Sequence, residues 1–266
     1  MEQQQRVRLV ALLIGLMVLA VAWDVVGGHR AAAPPPPPEP QPPVVSTPQP
    51  PPPSSLRSQT GSEIVPESGG PSSLDVVARA DMRRRIRASF PLTYLSIIVA
   101  ESSDSMLHRW DERVDRPVHV YLARGKAANF RPEFLDAVRA AFARWSETGL
   151  PVRFDLAADS SDAEVRFTWR TQFDIDRTGE TDLEWDRDGH LQTAVVTIAT
   201  FDPDGRPLGT DDVRVVALHE IGHLLGLDHS PDSTDLMFAK AVVRDLSPRD
   251  IRTAQLLYAL APGSLR

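Results

Sequence analysis

The chain has 266 residues, a formal net charge of −7 and no cysteine. Its acidic and basic residues are interspersed and form no basic stripe, so we expect no nucleic-acid partner. Without cysteine there can be no disulfide framework, thiolate metal site or thiol nucleophile. A bound metal ion would therefore need histidine or carboxylate ligands.

The first 28 residues have the features of an export signal. Residues 1–8 include Arg6 and Arg8 and are expected to be cytoplasmic, and residues 9–28 are apolar except for Asp24. A bilayer span needs about 20 apolar residues, and basic residues before such a run orient the N-terminus inside. Two interpretations stay open: an uncleaved anchor in the cell membrane, with the rest of the chain outside, or the cleaved signal peptide of a secreted or periplasmic protein.

Residues 29–73 predict a disordered, proline-rich linker. Proline fills positions 34–38 and 50–53, and the residues after 53 are rich in serine, glycine and glutamate. Proline tracts extend as polyproline II because they cannot join a helix or a β ladder. Such a linker would hold a domain away from a membrane; a ligand for proline-binding domains is the less favoured interpretation.

Residues 74–116 predict a helical N-terminal extension. Apolar residues recur at helical spacing up to position 100, and Pro91 interrupts them, so one or two helices are expected. This extension is either a pro-segment that is removed or a permanent part of the folded domain.

Residues 117–266 alternate strand and helix patterns and are expected to form one domain. Strands are predicted at 118–122, 152–156, 164–169 and 191–200, and helices at 134–146, 211–225 and 247–260. A turn at 186–189 predicts a hairpin that joins residues 183–185 to the strand 191–200. Ser247 and Pro248 have the residue types favoured at the start of the last helix.

One histidine-rich string predicts a metal site. On a helix, His219 and His223 lie one turn apart on the same face, and Glu220 lies beside an ion that they share, where it can take a proton from a metal-bound water. His229 would lie about 15 Å beyond His219 if the helix continued. The helix must therefore end, and Gly226 can adopt the left-handed conformation that turns the chain back. Three neutral ligands suit zinc and leave a position for water.

The string from His219 to His229 resembles the signature of the metzincin metallopeptidases, and Met237 resembles their Met-turn methionine, which packs beneath the histidines. Ser230 and residues 246–251, followed by residues 257–258, resemble the matrixin branch. The resemblance implies an α+β fold: a twisted, mostly parallel sheet with an antiparallel edge strand, an active-site helix and a C-terminal helix. The strand 191–200 or its hairpin partner would be the edge strand that holds extended substrate.

The resemblance also implies a zinc-dependent endopeptidase with one catalytic ion and Glu220 as general base, acting on extracytoplasmic proteins or peptides. The chain departs from the matrixin pattern in three ways: it has no cysteine to block the zinc, residues 238–240 replace the usual Pro-x-Tyr, and His190 alone lies where a second zinc would need several histidines. Asp250 is expected to cap the last helix, and in the family a nearby aspartate also supports the Met-turn. Calcium at the turns 186–189 and 202–205 is only weakly supported.

Two further functions compete with the peptidase. A catalytically retired domain could bind extracellular protein or cell-wall polymer, although all four chemical residues are present. A zinc amidase acting on cell-wall peptides would share the metal chemistry. The sequence does not give the natural substrate or the oligomeric state.

Overall fold

The computed structural model describes residues 72–102, 104–111 and 113–266, which lie within one compact unit. The predicted export signal at 9–28 and the linker up to residue 71 lie outside the described residues. Within the described part of the chain, no helix combines the length and the apolar character that a bilayer crossing demands.

A five-stranded sheet forms the centre of the domain, with the strand order β3-β2-β4-β6-β5. Its strands are β2 (Arg113–Leu122), β3 (Val152–Asp155), β4 (Val165–Arg170), β5 (Gly179–Trp185) and β6 (Leu191–Ala199). All neighbours pair in parallel except β5, which pairs antiparallel with β6. The predicted α+β fold is confirmed, and the edge strand is β5, the hairpin partner, rather than the strand that begins at Leu191.

Five helices accompany this sheet in the described residues. They are α1 (Ser73–Ala88), α2 (Leu95–Glu101), α3 (Glu133–Ser146), α4 (Thr210–Leu224) and α5 (Pro248–Tyr258). Ser247 is the N-cap of α5 and Pro248 its first residue, because the serine hydroxyl accepts from the backbone of Asp250 and proline needs no partner for an N–H. One or two helices are expected around Pro91, and the described residues form two there, α1 and α2.

The core lies between the sheet and the helices. One face of each central strand is buried at alternate positions, as expected for a strand covered on that side: Val118, Val120, Val165, Phe167, Val196 and Ile198. Helix α3 packs Phe142 against Phe167 with ring centroids 5.4 Å apart. Its Trp145 donates from the indole N–H to the Leu218 carbonyl oxygen at 2.9 Å. This packing fixes α4, the helix of the histidine string, against the rest of the domain.

Two strands are longer than the sequence predicts. The first predicted strand starts at Arg113 rather than at residue 118, with an irregular register between Arg113 and Val118. Pro117 lies within it and lacks an N–H for the ladder, which hides the strand from pattern analysis. Strand β5 begins at Gly179 rather than at residue 183, because pairing with β6 imposes the extended conformation on a polar segment.

A small two-stranded sheet joins the two ends of the domain. Strand β1 (Met106–Leu107) pairs antiparallel with β7 (Gly263–Ser264), and Arg83 donates to the Leu265 carbonyl oxygen at 2.6 Å. Strands of two residues have no measurable period, so the sequence gives no sign of them. The segment before the main sheet is thereby attached to the C-terminus.

Candidate metal centre

Helix α4 carries His219, Glu220 and His223 and ends where the histidine string requires. Its last residue is Leu224, and Gly226 has a φ of 94°. The Gly226 N–H donates to the His223 carbonyl oxygen and the Leu227 N–H to that of Gly222, at 2.8 and 3.0 Å, which is a Schellman motif. A Cβ at position 226 would lie 2.0 Å from the His108 carbonyl oxygen. Glycine is required there for its conformation and for its lack of a side chain.

The reversal at Gly226 brings the third histidine to the first two. One ring nitrogen from each of His219, His223 and His229 lies within 4.8 Å of the others. The ring centroids are 4.9 Å apart for His219 and His223, 4.8 Å for His223 and His229, and 5.3 Å for His219 and His229. The three side chains form one cluster of potential metal ligands.

Backbone carbonyls orient the two helical histidines. The Nδ1 atoms of His219 and His223 each lie 2.9 Å from a carbonyl oxygen, that of Leu236 and that of Leu227. A carbonyl oxygen only accepts, so each Nδ1 carries the proton and each Nε2 keeps a lone pair. Burial lowers the pKa of His219 to about 4 and that of His223 to about 3, which keeps both rings neutral at pH 7.

The two lone pairs face each other, which is the arrangement expected of a cation site. The Nε2 atoms of His219 and His223 are 3.2 Å apart. Two nitrogens about 2.0–2.1 Å from one tetrahedral zinc would be about 3.3 Å apart. The donor set therefore fits zinc. His229 is held less firmly, since 46% of its side chain is exposed.

Beneath the histidines lies a turn that contains Met237, which is fully buried. A Cβ on Gly222 would lie 2.2 Å from the Met237 sulfur, so a glycine in the helix lets the methionine pack against the α4 backbone. Asp250 accepts from the Leu236 N–H at 2.8 Å and from the Ser247 N–H at 2.9 Å. Its carboxylate thus both caps α5 and holds the turn.

The side chain of Glu220 extends from α4 to the edge strand β5. It is 4% exposed, and its carboxylate accepts from the Thr181 hydroxyl at 2.6 Å. A Cβ on Gly179 would lie 2.2 Å from Glu220 Oε1, so β5 approaches the carboxylate closely. Burial raises the pKa of Glu220 to about 7, and the bond from Thr181 opposes this rise. Thr181 and Gly179 were not predicted as site residues, because their proximity depends on the register of β5.

A cavity of about 1170 Å³ extends along β5 and opens over the histidines. The segment after Met237 lines it at residues 239–242, and two of these, 239 and 240, belong to the residues 238–240 that replace the usual Pro-x-Tyr. Lys240 of this segment forms an ion pair with Asp176, in the loop before β5. The edge strand and residues 239–242 therefore both line the cavity, and the ion pair links this segment to the loop before β5.

The model of the Matrixin family matches residues 121–259, which include α4, the histidines and Met237. The chain belongs to the matrixin family. Over 66 residues it is 44% identical to the "Probable matrix metalloproteinase 095L" of Invertebrate iridescent virus 3, which is 24% of this chain and 18% of that protein. Over 60 residues it is 48% identical to matrilysin of Felis catus, 21% of this chain and 22% of that protein. Each match covers about a fifth of the relative's length.

A second group of side chains in this matrixin involves His190. Asp186, Asp188 and His190 also bring ligand atoms within 4.8 Å, and His190 pairs with Asp111 at 2.9 Å. These acidic groups are exposed or half-buried, as acidic turns without an ion commonly are. In the second acidic turn, residues 202–205, Asp202 forms an ion pair with Arg206 at 2.7 Å. The single zinc therefore stays a prediction, and calcium at these turns stays weakly supported.

Replacing Gly226 with alanine tests the reversal of the chain. The left-handed conformation alone costs alanine about 1–2 kcal/mol, and the overlap with the His108 carbonyl adds to that cost. We expect Gly226→Ala to lower the free energy of unfolding by at least about 3 kcal/mol. Gly149→Ala is the matched control, since Gly149 has a φ of 75° and no atom near its Cβ position. Urea unfolding that gives equal losses for both variants would contradict the account.

Glu220→Gln tests the burial of the carboxyl group in metal-free protein. In the unfolded chain the carboxyl ionises near pH 4.5, whereas in the folded chain it keeps its proton up to about pH 7. This group therefore lowers the stability of the wild type as the pH rises from 4.5 to 7. We expect the variant to match the wild type at pH 4 and to exceed it by on the order of 3 kcal/mol at pH 8. Urea unfolding in the presence of a chelator measures the free energy of unfolding of both proteins at each pH. A difference between them that does not change with pH would refute the raised pKa of Glu220.

Proposed function

We propose that this matrixin is a zinc-dependent endopeptidase that hydrolyses peptide bonds of extracytoplasmic proteins or peptides, with Glu220 as general base. One observation carries the proposal: a buried carboxylate with a raised pKa lies beside three convergent histidines, at the wall of a cavity that follows an edge strand. A base for hydrolysis near neutral pH needs a pKa near the working pH. The named activities of the two relatives support the same reaction.

His219, His223 and His229 would hold the zinc ion through ring nitrogens. When bound, zinc polarises a carbonyl group and lowers the pKa of a coordinated water toward about 7. Glu220 then accepts the proton of the attacking water and later passes it to the leaving amine. Thr181 orients the carboxylate for this transfer by donating to Oε2. The low exposure of Glu220 keeps competing water away from the transferred proton.

Strand β5 offers a binding edge for extended substrate. In the described part of the chain it pairs with β6 on one side and has no strand on the other. An extended peptide can add to such an edge through backbone hydrogen bonds, which would lay its peptide bonds along the cavity. Cleavage within a chain, rather than at its end, is expected of a groove that is open along a strand. The residues 239–242 would contact side chains of the substrate and help to set the preference.

The proposed location outside the cytoplasm rests on the apolar run at 9–28 and the proline-rich linker that follows it. Either an anchor or a cleaved signal would deliver residues 117–266, the proposed catalytic domain, to that side of the membrane. The substrate would then be a protein or peptide outside the cytoplasm.

The proposed reaction is tested with the full chain, zinc and an unstructured protein substrate. Cleavage that stops with a chelator and resumes with zinc is the expected result, and mass spectrometry of the products should find new peptide termini inside the substrate. Products released only from cell-wall peptides by amide hydrolysis would favour the amidase instead. Zinc binding without any hydrolysis would favour the retired binding domain.

Glu220→Gln should remove the general base and leave the ligands intact. We expect kcat/KM to fall at least about 10²- to 10⁴-fold, with zinc still bound at the wild-type stoichiometry. Glu147→Gln, an exposed glutamate at the end of α3, is the matched control and should keep full activity. Peptidase assays and metal analysis on the same samples check both expectations. Full activity of the Glu220 variant would rule out this mechanism.

A further inference from the structure

We propose that Tyr94 is a positioning residue for the zinc site, acting through Asp250 and the turn that contains Met237. Tyr94 lies just before α2, in the extension that precedes the matched family region. The inference rests on the proposed function in one respect, that the three histidines bind zinc.

Tyr94 uses its side chain and its backbone to hold α5. It is fully buried, its phenol donates to Asp250 Oδ1 at 3.1 Å, and its N–H donates to the Thr253 hydroxyl at 3.2 Å. Arg249 lies over the ring, 5.4 Å from its centroid. Burial and the Asp250 carboxylate raise the pKa of the phenol well above its usual value, so the group remains a donor at any working pH.

From Asp250 a chain of buried hydrogen bonds leads to a metal ligand. Asp250 Oδ2 accepts from the Leu236 N–H at 2.8 Å, and the Leu236 carbonyl oxygen accepts from His219 Nδ1 at 2.9 Å. Asp250 and Leu236 are both 0% exposed. Tyr94 is therefore connected to His219 through one carboxylate and the backbone of one residue, Leu236.

The phenol matters because Asp250 is buried and needs its donors. Without the phenol, the one donor left to Oδ1 among the described residues is the Met237 N–H at 3.4 Å, which is a weak bond. A carboxylate in a water-excluded site that loses a donor shifts toward other partners or draws in water, since unpaired charge is costly there. Either response moves the backbone of Leu236, and with it the carbonyl that fixes the His219 ring. Loss of a group that orients a metal ligand through hydrogen bonds typically lowers the metal affinity 10- to 100-fold.

With this role, the extension is a permanent part of the folded domain rather than a pro-segment that is removed. The carbonyl of His108 lies against Gly226, and Trp110 donates to the Leu224 carbonyl oxygen at 2.8 Å, at the end of α4. Tyr94, His108 and Trp110 thus contact two elements that position the histidines, α5 and the C-terminal end of α4. Processing that matures the protein must leave Tyr94 in place.

Tyr94→Phe in the full chain tests the inference, because it removes the hydroxyl and keeps the ring. We expect the zinc dissociation constant, measured by competition with a chromogenic chelator, to rise about 10-fold. Tyr121→Phe, which removes a tyrosine hydroxyl from β2, is the matched control and should bind zinc as the wild type does. Urea unfolding of the metal-free proteins checks that the variant is folded at the assay temperature, since a structural role alone would lower stability and leave the affinity of the folded chain unchanged.

A second measurement uses the wild type and needs no variant. By linkage, zinc should slow amide hydrogen exchange in residues 94–101 by more than it slows exchange in β3. The inference fails if Tyr94→Phe binds zinc within two-fold of the wild type, or if zinc slows both segments equally. A wild-type chain that binds no zinc would overturn the proposed function as well, so the two failures are distinguishable.

Discussion

Two histidines one turn apart on a helix can share an ion, but a third histidine six residues later can join them only if the chain reverses. In this protein the reversal occurs at Gly226, where the conformation and the contact with the His108 carbonyl both exclude a side chain. Trp110 fixes the preceding end of α4 through the Leu224 carbonyl oxygen. The geometry of the site thus depends on a contact from a residue 114 positions away in sequence, which explains why the extension and the helix form one unit.

Burial sets the chemistry of the same site. A water-excluded environment lowers the pKa of His219 and His223 and raises that of Glu220, so neutral ligands and a base that titrates near pH 7 arise from one cause. The buried polar groups find hydrogen-bond partners nearby: carbonyl oxygens accept from Nδ1 of His219 and of His223, and Thr181 donates to the Glu220 carboxylate. The edge strand therefore has two roles, since it shields the base and offers the groove for an extended chain.

The sequence predicted what depends on local spacing. The α+β class, the parallel sheet, the helix of the histidine string and the N-cap at Ser247 follow from periodicity, residue type and family resemblance. Features that depend on distant segments were missed. Thr181 reaches Glu220 only through the register of β5, and Tyr94 reaches Asp250 across 156 residues. Such residues belong to no sequence motif, because tertiary packing, not a short spacing along the chain, brings them to their partners.

X-ray absorption spectroscopy of the zinc-loaded full chain, combined with metal analysis, tests the central claim most directly. We expect one zinc per chain with three nitrogen neighbours at about 2.0–2.1 Å and one oxygen neighbour from water. Replacing His229 with alanine should reduce the nitrogen count from three to two. A site with a carboxylate ligand in place of His229, or a nitrogen count that is unchanged in that variant, would contradict the claim that the reversal at Gly226 exists to bring a third histidine to the ion.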